Sequence, residues 1–591
     1  MPKLNRKFYV IFLMLILFVV SVIVFGGSIF KQTVAAEYTG IGEERFKWSR
    51  EVYGGVDLTH TISYNNNKDQ KVNTLVFNPK TVNLQPTIAY GGNALYGSTM
   101  TSLIDYEEAE GKHVVFGING DAYDTSNGIA SGLVINDGVL IPSSNSAMGW
   151  GMLSDGTIKY GSASLQMQAA IVNGETLTLK HVNKERKLDT NGVYLLTEDF
   201  NNVTASKEAG VEVILNIVEA HKDLGLRIGQ TLSATVTEVV IVERNTTIAG
   251  NQTPIGDNQV ILSTHANSQK YNLLSGLAVG TQIDFNVNDI SDDRIDWSNI
   301  NFGMGIFHLL LDNGVVPAGI YEDTAIHPRT AMGIKADGSV ILFQNDGRQI
   351  GWANGLSFKE MVEYMRDELG AVTIFNFDGG GSSTMQVTMP GNNRAEIINR
   401  PSDGTERANT NALLFIATEK PVTGNPVEQL HMYTNIPGNN ANKAMLLEKG
   451  ILKFDLKATD NNYFQSSLMS QTVTYTVEND GVSNIGTVSQ EGVFTAGTGK
   501  GNGRVVAKVG NISTSFEIQI VDEITAIETN LTILSIAPGG TAALDFRAFY
   551  NGVPVMLSNE SLTFVLNPES LGSVSTSGVF TAVDGQGTVL I

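Results

Sequence analysis

The chain has 591 residues, 39 basic and 60 acidic side chains, a formal net charge of −21 and no cysteine. At ~100–200 residues per domain this length implies several domains. A hydrophobic share of 42% against 17% charged residues excludes a disordered chain. The missing thiols exclude a disulfide framework, a zinc–thiolate site and a cysteine nucleophile, and the acidic balance disfavours nucleic acid and anionic lipid as main partners.

In chain order, Lys3, Arg6 and Lys7 precede an apolar run from Phe8 to Phe25 that only Ser21 interrupts, and Val34-Ala35-Ala36 offers small residues before Glu37. Residues 1–36 therefore read as a signal peptide or an N-terminal membrane anchor, with the remainder exported to the exterior or the cell surface. Residues 37–420 alternate short apolar runs with turn signals. "GLVINDGVLI", "WGMLSDGTIKY" and "AMGIKADGSVILF" each predict a hairpin turning on Asp-Gly. One helix is predicted from Ser357. Ser357 and Glu360 form a capping box, Phe358, Met361, Val362, Met365 and Leu369 share a face, and Gly370 ends it. "AVTIFNF" follows as a buried strand. This order of elements predicts an α+β catalytic domain with a mixed sheet, whose strand-end loops form the site.

After about Pro421 long helices vanish and strand-like alternation dominates. "GTVSQEGVFTAG" from Gly486 recurs as "GSVSTSGVFTAV" from Gly572, so residues 421–522 and 523–591 are predicted as two all-β, immunoglobulin-like sandwich modules. The second copy meets Ile591 before any counterpart of "RVVAKVGNISTSFEIQIVD" and is expected to be truncated, in a piece of a longer protein.

Polar residues concentrate at predicted strand ends. They are Asn119, Gly120, Asp121 and Asp124 in "NGDAYD"; His327, Arg329 and Thr330 in "HPRT"; Asp346 and Arg348 in "NDGR"; Asp378, Gly379, Gly380, Gly381, Ser382 and Ser383 in "DGGGSS"; and Arg407 with Asn411 in "ERANTN". Asp-Gly is a common hairpin turn, His327 beside Pro328 suits packing, and Arg407 suits a surface ion pair. Three successive glycines exceed what a turn requires. They let backbone N–H groups approach an anion, yet the spacing and lysine of a Walker loop are missing. Together these stretches supply carboxylates, arginines and a glycine-rich loop, the set suited to a substrate holding both sugar and phosphate.

The series "NGDAYD", "HPRTAMGI", "NDGRQIGWANG", "GAVTIFNFDGGGSSTM" and "ERANTNALLF" resembles the phosphodiester glycosidase family, from about Val114 to Ala417. "TPIGDNQVILSTHA" also looks like a family segment. The "G…G.FTA" lines resemble bacterial immunoglobulin-like repeats. The resemblance implies a hydrolase that cleaves the glycosidic bond of sugar-1-phosphodiesters, with phosphorylated glycan of the wall or surface as partner. It implies Asp378 as the catalytic carboxylate, with Asp346 or Asp121 second. Asn119, Gly120, His327, Arg329, Thr330, Arg348, Gly379, Gly380, Gly381, Ser382, Ser383 and Arg407 are implied as substrate-binding, with Arg329 and Arg407 as phosphate clamps. The chain departs from the family at Asn345, Ala353 and Phe377, without loss of a charged motif residue. Two other readings stay open: a non-catalytic surface binder of phosphoglycans, and a glycosidase of the same fold acting on phosphate-free glycosides. No cofactor is expected to be required; the metal question is open, because Asp121, Asp124, Asp346 and Asp378 offer oxygen ligands for a cation such as Ca²⁺.

Overall fold

A computed structural model describes residues 40–591 except 66, 145–146, 189–190, 245–252, 293, 437–438, 470, 530–534 and 586. The predicted signal or anchor segment lies outside the described residues. Among these, no helix is long and apolar enough to cross a membrane.

Two antiparallel sheets carry the candidate site. One has seven strands in the order Glu43–Tyr53, Val56–Asn65, Lys68–Phe77, Val340–Asn345, Arg329–Lys335, Ala371–Asn376, His308–Leu311. The other has five, in the order Glu396–Ile397, Met385–Val387, Val114–Asn119, Ala412–Ala417, Leu84–Ala89. Every neighbouring pair in both is antiparallel. They share one core, where Phe77 from the first sheet meets Phe116 and Phe415 from the second at ring separations of 5.2 and 4.7 Å. Alternate residues of the seven-stranded sheet, among them Ala331, Ile341, Phe343 and Ile374, pack on its other side against Phe358, Met361 and Met365.

The α+β expectation with a mixed sheet is therefore corrected: this part of the chain is almost entirely β. The physical cause lies in the central strands. "VILFQN" and "AVTIFN" are buried on both faces, which gives the continuous apolar runs usual in parallel sheets flanked by helices. Here one face is covered by a second sheet and the other by a single short helix. That helix leads into Ala371–Asn376, which runs antiparallel to both of its neighbours, so it is no crossover between parallel strands.

The local predictions hold. All three Asp-Gly hairpins form, pairing Val134–Asn136 with Val139–Leu140, Met148–Met152 with Ile158–Ser162, and Arg329–Lys335 with Val340–Asn345. The helix runs Phe358–Glu363, with both halves of the Ser357–Glu360 capping box present, and continues as a π-helical turn over Tyr364–Glu368. Gly370 ends it at φ +80°. Between the site strands lies an eight-stranded sheet with its own core, including Leu195, Val213, Leu262 and Phe285.

The region after Pro421 is all β and consistent with immunoglobulin-like repeats. Both copies of the repeated line fold into the same hairpin. Val488 pairs with Phe494 in the first and Val574 with Phe580 in the second, and both phenylalanines are buried.

Candidate active site

The glycine-rich loop leaves the end of strand Ala371–Asn376 and spans the open end of the sandwich. Phe377 N–H donates to Thr330 O (2.9 Å), in the seven-stranded sheet, and Asp378 N–H donates to Gly120 O (3.0 Å), at the end of a five-stranded-sheet strand. Asn119 is the brace between the sheets. Its Nδ2 donates to Asp378 O (2.8 Å), and its Oδ1 accepts from Thr330 Oγ1 (2.7 Å) and Thr384 N–H (3.0 Å). Thr330 Oγ1 also bonds Ser383 Oγ (3.2 Å). Asn119, Thr330 and Ser383 are thus brought to the site, but their side chains bond the loop and are buried.

The three glycines are explained by what surrounds them. A Cβ on Gly379 would lie 2.9 Å from Pro328 O, and one on Gly380 would lie 2.8 Å from Arg348 Nη1. Gly380 also holds φ +64°, which favours glycine. A Cβ on Gly381 would collide with the Arg407 guanidinium and the Asp403 carboxylate. Two cationic side chains therefore lie against the loop. The loop's own N–H groups are mostly engaged: Gly379 donates to Asp378 Oδ1 (3.0 Å), Gly380 to Pro328 O, Ser382 to Gly379 O and Ser383 to Gly380 O. Arg348 and Arg407 bring cationic groups against the loop, Arg407 together with its partner Asp403.

Asp378 is half-buried. Burial pushes its carboxyl above the usual value, while the nearby Ser382 hydroxyl, the Gly379 N–H and the Arg407 charge oppose the shift. Ser382 Oγ, Asn376 Oδ1 and Asn411 Nδ2 are buried without a protein partner at full hydrogen-bond geometry, Ser382 Oγ lying close enough to the Asp378 carboxyl to influence it. Asp121 is buried deeper, with Gly132 N–H donating to its Oδ2 at 2.7 Å. Burial pushes its carboxyl up to about 7, against the N–H groups of Gly132 and Ala122 and the Lys184 charge, and the Asp378 charge adds to the rise.

Arg348, at φ +59°, donates from Nε and Nη2 to His327 Nδ1 at 3.2 and 2.9 Å. Burial, Arg348 and Arg329 all lower the His327 pKa, so the ring is a neutral acceptor that orients Arg348. Arg329 is buried and turned inward. It donates to Leu356 O (3.2 Å) and Ala325 O (2.7 Å) and stacks 4.0 Å from the Phe358 ring centre. Burial lowers its pKa to about 10, which keeps it cationic near neutrality. Arg407 is exposed and pairs with Asp403 at 2.6 Å. Asp346 has a different set of partners. It accepts from Trp352 Nε1 (2.7 Å), Gln344 Nε2 (3.2 Å) and Arg400 N–H (3.1 Å), and shares none of these partners with Asp378. Burial raises its pKa.

Residues 231–416 match the model described as phosphodiester glycosidase. The chain carries a phosphodiester glycosidase domain. The family span contains every candidate residue from His327 to Arg407, whereas Asn119, Gly120 and Asp121 precede it, and Asn119 and Gly120 bond the glycine-rich loop. A curated relative, the SPbeta prophage-derived uncharacterized protein YomE of Bacillus subtilis (strain 168), is 37% identical over 82 residues. That match covers 14% of this chain and only 12% of the relative's length. Among solved structures, a hypothetical protein from Synechocystis is similar at 17% identity and TM-score 0.49, over 63% of this chain and 64% of that one, just under two thirds of its length. The catalytic domain of zebrafish N-acetylglucosamine-1-phosphodiester alpha-N-acetylglucosaminidase is similar at 13% identity and TM-score 0.32, over 63% and 88%.

Two neighbours of the candidate site were not foreseen. Asp403 holds Arg407, and an acid four residues before an arginine was a usable signal. Lys184 faces Asp121 from a distant part of the chain, and no local pattern marks it. Asn345 bonds His327 O (3.3 Å) and Asp346 O (2.9 Å) through its amide. Among the described residues, no three His, Asp or Glu side chains cluster as metal ligands.

Proposed function

We propose that the chain hydrolyses the glycosidic bond of sugar-1-phosphodiesters, releasing free sugar and a phosphomonoester. The observation that supports it best is the half-buried Asp378 on a glycine loop flanked by Arg348 and Arg407, inside the span that matches the family. In this reading the substrate phosphate lies against the two guanidinium groups and the anomeric carbon lies toward Asp378. Asp378 orients a water and takes its proton as the water oxygen bonds the anomeric carbon. The bond from that carbon to the phosphate oxygen breaks, its electron pair leaves with the phosphomonoester, and the arginines stabilise the added charge. A phosphate leaving group needs little protonation, so a single reachable carboxylate suffices. Asp121, buried behind Gly120, holds its proton the more tightly for the Asp378 charge beside it.

Export to the cell surface belongs to the same proposal and rests on Lys3, Arg6, Lys7 and the Phe8–Phe25 run. The substrate is then an envelope or extracellular polysaccharide. The test is hydrolysis of a chromogenic sugar-1-phosphodiester beside the matching phosphate-free glycoside. The expected result is release of sugar from the diester alone, falling at least ~10³-fold in kcat in Asp378→Asn. Full activity of that variant, or equal cleavage of both compounds, sinks the assignment.

A further inference from the structure

A pocket of about 300 Å³ lies where strands Glu43–Tyr53, Val56–Asn65 and Lys68–Phe77 meet the region after Pro421. Trp48, His60, Lys71 and Asn73 line it from those strands, Trp352 from the loop that carries Arg348, and Asn440 and Pro554 from the β-rich region. A hydrogen-bond chain fixes the polarity of its walls. The Asp346 carboxylate accepts from Trp352 Nε1 (2.7 Å), Arg400 N–H (3.1 Å) and Gln344 Nε2 (3.2 Å). Gln344 therefore presents Oε1 to Asn73 Nδ2 (2.8 Å), and Asn73 presents Oδ1 to His60 Nδ1 (2.7 Å), so Nδ1 carries the hydrogen. Desolvation lowers the His60 pKa to about 4, which keeps the ring neutral near pH 7. Its Nε2 is then an acceptor, and it has no hydrogen-bond partner among the described residues.

Lys71 supplies the opposite character. It is buried, and its ammonium sits 3.1 Å from the Trp352 ring centre with no oxygen acceptor among the described residues. Burial lowers its pKa to about 8, against the charges of Asp346 and Asp69. Those two carboxylates balance its charge, and the other lysine of the pocket, Lys443, pairs with Glu517 at 3.8 Å. The pocket therefore calls for no anion. It lacks an oxygen for the Lys71 N–H groups and a hydrogen for His60 Nε2, and hydroxyl groups provide both. Beside them stands an apolar surface: Trp48 is half-buried and stacks on His60 with ring centres 5.7 Å apart, and Phe46 adjoins it. Aromatic surface with a few fixed polar groups suits a ligand with apolar C–H faces and a hydroxylated rim. We propose that this pocket binds a neutral sugar residue of a glycan, its ring against Trp48 and its hydroxyls on Lys71 and His60. The β-rich region completes the site, and the proposal stands independently of hydrolysis at Asp378.

The test is titration of the full chain with glucose, galactose, mannose and N-acetylglucosamine, read by tryptophan fluorescence and by calorimetry. The chain has four tryptophans. Trp48 and Trp352 line the pocket, whereas Trp150 and Trp297 are sealed in other parts of the core, so the emission reports on this site. A saturable change is expected with at least one of the four sugars. Calorimetry is expected to show binding at least about tenfold weaker in Trp48→Ala and in Lys71→Met. Lys71→Met keeps an apolar stem over Trp352 and removes only the donors, so it decides the matter if Trp48→Ala fails to fold by circular dichroism. No saturable change with any of the four sugars overturns the proposal, and so does undiminished affinity in a folded variant, which places the sugar elsewhere.

Discussion

Asp378 and Asp121 show how two similar residues acquire different tasks from their surroundings. Asp378 keeps solvent contact and an arginine neighbour, while Asp121 is sealed behind Gly132 and Gly305. The unfolded chain ionises Asp121 near the ordinary carboxylate value, whereas the folded chain holds the proton until about 7. Stability from this group is therefore present at low pH and lost as pH rises through the folded value. Urea unfolding of Asp121→Asn is expected to show a shallower loss of stability than the wild type between about pH 5 and 8, by up to roughly 3 kcal/mol, with Lys184 left facing a neutral amide. A parallel pH profile for both proteins would remove Asp121 as the cause. Gly379→Ala tests the loop. Its Cβ meets the Pro328 carbonyl, a backbone atom that cannot swing aside, so Asp378 must shift. A drop in kcat of about 10²-fold is expected with the circular dichroism spectrum retained. These contacts join residues far apart in sequence, which is why spacing alone could nominate Asp378 but could not separate it from Asp346. Both follow a strand and precede Gly, yet only tertiary packing sends one to the arginines and the other to Trp352.

At the scale of elements, local chemistry was legible where it is self-contained. The Asp-Gly turns specify their hairpins because left-handed backbone is needed there, as at Asp137 (φ +48°) and Gly138 (φ +75°). The helix from Phe358 was legible because its cap, apolar face and stop all lie within its own sequence. Ser357 Oγ accepts from Glu360 N–H, and Glu360 also pairs with Lys68 at 2.9 Å, tying the helix start to the seven-stranded sheet. Ser357→Ala is expected to lower stability by ~1 kcal/mol, read from the denaturant midpoint, and more if Glu360 swings away from Lys68. What was not legible was the partner of each doubly buried strand. An apolar run reports that both faces are covered and says nothing of whether a helix or a sheet covers them.

For the whole molecule, the β-rich region after Pro421 is fastened to the sandwich through its first strand. The Arg50 guanidinium donates to Met432 O (2.8 Å) and stacks 4.2 Å from the Tyr433 ring centre, and the Tyr433 hydroxyl donates to Pro390 O (2.9 Å). Asn442 Nδ2 adds a bond to Ser49 O (2.7 Å). Arg50→Ala is expected to cost about 2 kcal/mol and to split a single thermal transition into two, as the two parts lose their shared anchor. A single unshifted transition in calorimetry would show that the anchor is dispensable. The repeats were visible from their duplicated line, but the sheet that joins them was not. Strand Lys443–Leu446 pairs in parallel with both Ile512–Ile520 and Val553–Met556, so one sheet runs through both predicted modules.

The sequence by itself determined the turns, the capped helix, the repeated hairpins, the acidic thiol-free character and the cluster of motifs matched by the family. Each depends on neighbours in the chain or on residue type alone. Tertiary structure decided that the sheets stack on each other instead of on helices, that Asp346 bonds Trp352 and the Arg400 N–H, and that Arg348 lies against the glycine loop while Arg329 turns inward. Those outcomes depend on which distant surface reaches a side chain first, and burial, charge and close approach at such contacts have no signature in linear spacing.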